Sequence, residues 1–273
     1  MKEYFINIGK TLFLPLSANR LAHFISYLNL KGYSKSTIQS HISAIGYMHR
    51  MKDQEDNTNK PLVRNCLKGL SENLKDKRPA ITPQTLDRLN RTANECLDAY
   101  GAVAFRCISS WLFFGLFRIS ELLGDKGLNI PSLELDSVKE KKRVLTISLR
   151  SYKHSKGKGA LVDLARQKNK HICPLRSFKT YIKTRGKNSN FLFVNKRGKP
   201  ITKNVFAKTL KKVSLAADYN PPFLTHSFRI GGATQAHKMG YTEVQIKALG
   251  RWRSAAYAEY VRGSKPLILS PDK

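Results

Sequence analysis

Apolar residues recur at helical spacing through the first part of the chain. In residues 17–30, SANRLAHFISYLNL, Leu21, Phe24, Ile25 and Leu28 fall on one stripe that Gly32 closes. In residues 34–50, SKSTIQSHISAIGYMHR, the stripe is Ile38, Ile42 and Ile45, with Ser34 placed as N-cap. After the polar loop MKDQEDNTNKP, Leu62, Cys66, Leu67 and Leu70 outline a third helix. The charged, proline-interrupted segment NLKDKRPA, residues 73–80, then reads as a boundary. The pattern predicts a small all-helical domain over 1–76, a linker over 77–81 and a larger domain over 82–273.

The second part opens with Thr82-Pro83, a capping residue followed by proline at the first helical position. Residues 103–123 read as one long, mostly buried helix with Arg118 near its end. The period then changes. VLTISLR (144–150) and ALVDL (160–164) are short β-type runs joined by the basic loop SYKHSKGKG, which predicts a hairpin. PLRSFKTYIK (174–183) and residues 202–217 return to helical spacing, and FLFV (191–194) is a short apolar run. Pro221-Pro222 precede a helix from about His226 to Gly240, and Thr242 with Gln245 forms a capping box for the next. The fold class expected is mainly α, with one small antiparallel β-sheet in the larger domain.

Composition narrows the function. The chain has 273 residues and a formal net charge of +30. The charge is concentrated: residues 139–212 hold 23 basic and 2 acidic side chains, whereas residues 80–138 hold 5 and 7. Such an excess calls for a polyanion, and nucleic acid is the natural one. The longest uncharged apolar stretch, Cys107–Phe117, has eleven residues, short of the ~20 that a membrane span needs. The N-terminal segment lacks a long apolar core and a small-residue cleavage site, so secretion is not expected. Cys66, Cys96, Cys107 and Cys173 are scattered with no CxxC or CxxH spacing, and no P-loop, HExxH or GxSxG occurs. No metal or cofactor is therefore expected.

Four features carry candidate chemistry. FRISEL (117–122) sets Arg118 three residues before Glu121. THSFRIGGAT (225–234) sets His226 and Arg229 on one face at a helix start, where the helix end adds positive potential, and Gly231-Gly232 permit a close backbone approach. LGRWRSAAYAEYVR (249–262) holds Arg251, Trp252, Tyr257 and Tyr260. The hairpin loop holds Lys153, Lys156 and Lys158. Each alone has an ordinary structural explanation: an ion pair, a capped helix, aromatic core, a solvated loop.

Together, in this order, FRISEL, HSFR and GRW…YVR resemble the tyrosine recombinase family, which includes phage integrases, bacterial chromosome-dimer recombinases and the recombinases of DIRS-like and crypton-like mobile elements. HSFRIGGAT with ALGRW looks most like the eukaryotic mobile-element branch. The resemblance spans nearly the whole chain and implies a two-domain clamp on DNA, a helical core-binding domain plus an α+β catalytic domain. It implies a site-specific recombinase that works through a 3′-phosphotyrosyl intermediate, with double-stranded DNA as partner and a homo-tetramer on two DNA sites, a dimer per site. Arg118 and Arg229 would clamp the scissile phosphate, and His226 would begin the H-x-x-R motif. Trp252 would bond a phosphate oxygen, Lys153 would protonate the leaving 5′ oxygen, Glu121 would orient the site and Tyr260 would be the nucleophile. Lys35, Lys156, Lys158, Arg176 and Lys203 would contact DNA.

The family places its nucleophile nine residues after a His or Trp. Trp252 precedes Tyr260 by eight and Arg251 by nine, so either fills that slot, and Lys156 or Lys158 is an alternative acid to Lys153. The resemblance implies a further helix before Ser17, so N-terminal trimming is an expectation, and the tail Leu267-Ile268-Leu269 is expected to dock on a neighbouring protomer. The expected compartment is the nucleus of a eukaryote or the nucleoid of a bacterium. Two other readings share these residues: a non-catalytic DNA-binding protein derived from a recombinase, and a DNA relaxer of the type IB topoisomerase kind.

Overall fold

The computed structural model describes residues 4, 6, 9, 13–70, 79–125, 127, 130–150, 159–186, 189–253 and 255–261. The chain divides into two compact units, Met1–Lys77 and Arg78–Lys273.

The first unit contains α1 (Ala18–Leu30), α2 (Lys35–Met51) and α3 (Pro61–Gly69). Ser17 and Ser34 cap the first two by accepting the N–H groups of Arg20 and Thr37. Each cap satisfies an N–H that the helix itself cannot pair. Leu21, Phe24, Ile25, Leu28, Ile38, Ile42 and Ile45 are all buried together; each contributes roughly 1.5–3 kcal/mol by leaving water. In α3 the expected stripe holds at Cys66, Leu67 and Leu70, which pack into this core, but its first member is the fully buried Val63 rather than the exposed Leu62.

The second unit is mainly helical with one three-stranded antiparallel sheet. Its elements are α4 (Pro83–Cys96), α5 (Ala99–Phe114), α6 (Ile119–Leu123), β1 (Val138–Lys141), β2 (Val144–Leu149), β3 (Ala160–Ala165), α7 (Pro174–Thr184), α8 (Lys203–Ala216), α9 (His226–Lys238) and α10 (Glu243–Gly250), followed by a 3₁₀ turn, Ala255–Tyr260. The sheet order is β1-β2-β3, with Val144 opposite Ala165 and Leu149 opposite Ala160. The expected hairpin is present. The strand missing from the sequence reading, β1, is VKEK, an exposed edge strand with no apolar alternation. The helix expected over 103–123 is two helices. Leu116 adopts a left-handed φ of 47°, through which an α-helix does not continue, so α5 ends at Phe114. Arg118 is consequently the N-cap of α6 rather than the end of a long helix.

The core of this unit gathers Trp111, Phe105, Phe113, Phe117, Leu145, Ile147, Tyr181, Phe193, Phe206 and Phe228. Helix α9 lies deep against it. A Cβ on Gly231 would stand 1.9 Å from the Ile81 carbonyl oxygen, and one on Gly232 would stand 2.3 Å from that of Phe113. The two glycines thus let α9 touch backbone on two sides. Because α9 starts at His226, this seating fixes where His226 and Arg229 lie.

Candidate active site

Breaking the helix after Phe114 frees the carbonyls of the turn, and a buried carbonyl needs a donor. Two arginines supply it. Arg251 donates from Nη1 to the Gly115 carbonyl at 3.2 Å and from Nη2 to that of Leu116 at 3.1 Å. Arg229 Nη1 also donates to the Leu116 carbonyl, and its Nη2 donates to that of Gly250.

Glu121 is the counter-charge beneath them. Its side chain is fully buried. Oε2 accepts from the Arg118 backbone N–H at 2.9 Å and from Arg251 Nη2 at 2.8 Å, while Oε1 accepts from Arg118 Nη1 at 3.0 Å. Burial pushes this carboxyl upward, but Arg251, Arg229 and Arg118 outweigh it and hold the group below the usual carboxylate range. Burial acts on Arg229 in the opposite sense, joined by repulsion from Arg118 and Arg251, and lowers its affinity for the proton while Glu121 opposes. A guanidinium stays charged at neutral pH even so.

The last turn completes the cluster. Arg251 takes the left-handed conformation, φ 57°, and ends α10. That reversal lays the Trp252 ring over Gly250, where a Cβ would meet the ring at 1.7 Å. The Arg229 guanidinium lies 4.1 Å from the Trp252 ring centroid and 5.7 Å from that of Tyr260. Tyr260 packs on Trp252 and on His226, each with centroids 5.0 Å apart. Its hydroxyl is 2.9 Å from His226 Nε2. Arg229 Nε and Trp252 Nε1 are buried and have no hydrogen-bond partner among the described residues.

The structure therefore brings together Arg118, Glu121, His226, Arg229, Arg251, Trp252 and Tyr260, drawn from positions more than 140 residues apart. Arg118 is the arginine that reaches outward, with 19% of its side chain exposed. Arg229 is fully buried and commits both terminal nitrogens to carbonyls, leaving Nε free. Arg251 turns toward Glu121, and Trp252 toward Tyr260. Tyr257 packs beside the small cluster of Leu116, Ala233, Ala236, Ile246 and Trp252, with Lys247 Nζ 5.0 Å from its ring. Thr234, which the sequence reading passed over, donates from its hydroxyl to the Tyr260 carbonyl at 3.1 Å. Its signal was a polar residue closing the small-residue run Gly231-Gly232-Ala233.

The DNA-contact candidates divide. Arg176 is exposed. Lys35 Nζ donates to the Lys68 and Leu70 carbonyls at 3.4 and 3.2 Å, closing the C-terminal end of α3. Lys203 is paired with Asp125. Lys153, Lys156 and Lys158, with the loop 151–158, lie outside the described residues, as do linker residues 77 and 78 and the tail at 267–269.

Comparison with known proteins gives the family and the fold. Residues 79–262 match the phage integrase family. No curated protein matches the chain in sequence. Among solved structures, XerH site-specific recombinase bound to palindromic difH substrate superposes with a TM-score of 0.67 at 17% identity, over 94% of this chain and 72% of that one. The Tn1549 transposon integrase in complex with circular intermediate DNA gives 0.63 at 17%, over 97% and 89%. A lambda integrase dimer bound to a COC′ core site gives 0.66 at 10%, over 94% and 68%. At these identities the likeness is one of fold.

Proposed function

Because this chain belongs to the phage integrase family, we propose that it is a site-specific recombinase that cuts and rejoins duplex DNA through a phosphotyrosyl intermediate at Tyr260. The observation that carries the reading is the Tyr260 hydroxyl, held 2.9 Å from His226 Nε2 inside a cluster of guanidiniums. Attack by the Tyr260 oxygen forms a bond to phosphorus and breaks the bond to the 5′ oxygen. His226 is within reach of the phenol proton. The 5′ oxygen takes a proton from an acid, assigned to Lys153 by resemblance. A 5′ hydroxyl from the partner strand then reverses the step, so the phosphodiester is conserved and no hydrolysis is needed.

Charge builds on the phosphoryl oxygens as Tyr260 attacks. Arg118 reaches toward solvent and meets it directly. Arg229 adds its field and its uncommitted Nε, and Trp252 Nε1 supplies a second uncommitted donor. Glu121 and Arg251 position these groups without touching the phosphate. This geometry favours Trp252 over Arg251 for the family's His/Trp role. The spellings HSFRIGGAT and ALGRW support the eukaryotic mobile-element branch. Strand exchange would use four protomers, two on each DNA site.

The test is covalent capture. The chain is incubated with a pool of nicked suicide duplexes and run on a denaturing gel. A protein–DNA adduct with its phosphotyrosine mapped to Tyr260 is expected. DNA binding with no adduct on any duplex would make the chain a non-catalytic DNA-binding protein.

A further inference from the structure

A second group of cations sits at the far end of the sheet from Glu121. Strand β2 has Val144 opposite Lys141 and Ala165 at one end and Leu149 opposite Ala160 at the other. Glu121 lines a small cavity with Leu149 and Arg150, so the candidate active site belongs to the Leu149 end. The opposite end carries the turn Lys142–Arg143, tied to the exit of β3 by the Arg166 N–H donating to the Arg143 carbonyl at 2.9 Å. At about 3.3 Å per residue, the strand separates the two ends by roughly 17 Å.

There Lys142, Arg143, Arg166, Lys168, Lys170 and Arg176 line a cavity of about 290 Å³. Lys170 and Arg176 also line an adjoining cavity of about 210 Å³, with Arg106 and His171. Among the described residues, no Asp or Glu lines either one. Lys179, on the same rim, pairs with Glu140 at 2.7 Å. The other six cations are exposed and form no ion pair among the described residues. Burial, joined by Arg91, Lys170 and Arg106, holds the His171 imidazole below its usual proton affinity, with Asp87 opposing.

Like charges gathered around a concave surface repel one another and focus their field outward. We propose that this surface is a second contact for the phosphate backbone of duplex DNA, separate from the one at the active-site end. The proposal rests on the reading of the chain as a DNA recombinase. A duplex suits it better than a small phosphorylated ligand, because six exposed cations spread over two adjoining cavities match a row of phosphates. One protomer would then hold the DNA it cuts and a further segment of duplex.

The test uses the full chain and two duplexes. One duplex of about 40 base pairs is held on beads and saturated with protein, and capture of a second, fluorescent duplex is measured against salt. The variant is Lys142→Glu/Arg143→Glu/Arg166→Glu, three exposed side chains with no ion-pair partner among the described residues. The wild type is expected to capture the second duplex. The variant should capture it at least about tenfold less well, with affinity for the first duplex changed less than about threefold. The log–log salt slope for capture should also fall by about 2–3, as three lost phosphate contacts dictate. The milder Lys142→Gln/Arg143→Gln/Arg166→Gln form should move the same way and guards against a folding defect. Unchanged capture overturns the proposal. So does an equal loss of both duplexes, which would put the pocket on the DNA being cut. Tight one-to-one binding of inorganic tripolyphosphate without capture would overturn it in favour of a small-ligand site. A wild type that binds no first duplex refutes the recombinase reading instead.

Discussion

Replacing Glu121 with glutamine tests the logic of the site. The substitution keeps shape and one acceptor oxygen but removes the one carboxylate that, among the described residues, pairs with Arg118 and Arg251. Glu121 accepts three hydrogen bonds at 2.8–3.0 Å from a fully buried position. Removing one partner of a buried pair costs about 3–5 kcal/mol, because the remaining charges stay desolvated. For a unit of this size about 2–4 °C of melting temperature is lost per kcal/mol, so a fall of roughly 6–20 °C is expected. Both tryptophans, Trp111 and Trp252, lie in the second unit, so fluorescence follows that unit alone. The pH dependence has a definite sign. The folded-state affinity of Glu121 for a proton is depressed, so its stabilisation is present above the unfolded carboxylate value of about 4.3 and is lost as pH falls through the lower folded value. Glu121→Gln should therefore lose most stability at pH 7 and converge on the wild type in acid. Equal melting temperatures at pH 7, or a deficit that stays constant down to pH 3, would refute the electrostatic account.

Tyr260→Phe should abolish the covalent adduct while DNA affinity changes by less than about twofold, and Tyr257→Phe should still form it; gel assays with peptide mapping decide between them. Gly232→Ala drives a methyl group into the Phe113 carbonyl, and thermal unfolding should show a loss of about 2–4 kcal/mol together with lost cleavage. Gly250→Ala should push the Trp252 ring off its seat, read as a shift in tryptophan emission and a drop in adduct formation exceeding the drop in stability. DNA affinity should fall steeply with salt, and a flat log–log plot would remove the 23 basic residues of 139–212 from the interface.

What sequence could show follows from what is local. The stripes Leu21–Leu28 and Ile38–Ile45, and the caps Ser34, Thr82 and Thr242, are encoded within a few residues and are where the pattern puts them. The break at Leu116 is hidden, because a helix buried all round has no polar stripe to interrupt and leucine carries no signal for a left-handed φ. Strand β1 is hidden because its side chains face water. The motifs at 117–122, 225–234 and 249–262 announce a shared site through their residue types. Their division of labour does not appear until the chain is folded. Arg251 and Trp252 are adjacent in sequence, yet the left-handed residue at 251 sends one side chain to Glu121 and the other to Tyr260.

Helix α9 behaves as a keyed shaft. Two glycines one residue apart sit against the Ile81 and Phe113 backbones, so the helix admits neither rotation nor sliding. Each inserted residue would turn everything beyond it by about 100°. A scan of single-residue insertions should therefore find positions 226–236 intolerant, while the exposed turn at 195–198, away from the key, absorbs the extra length. The active-site spacing is in this sense gauged by two missing methyl groups.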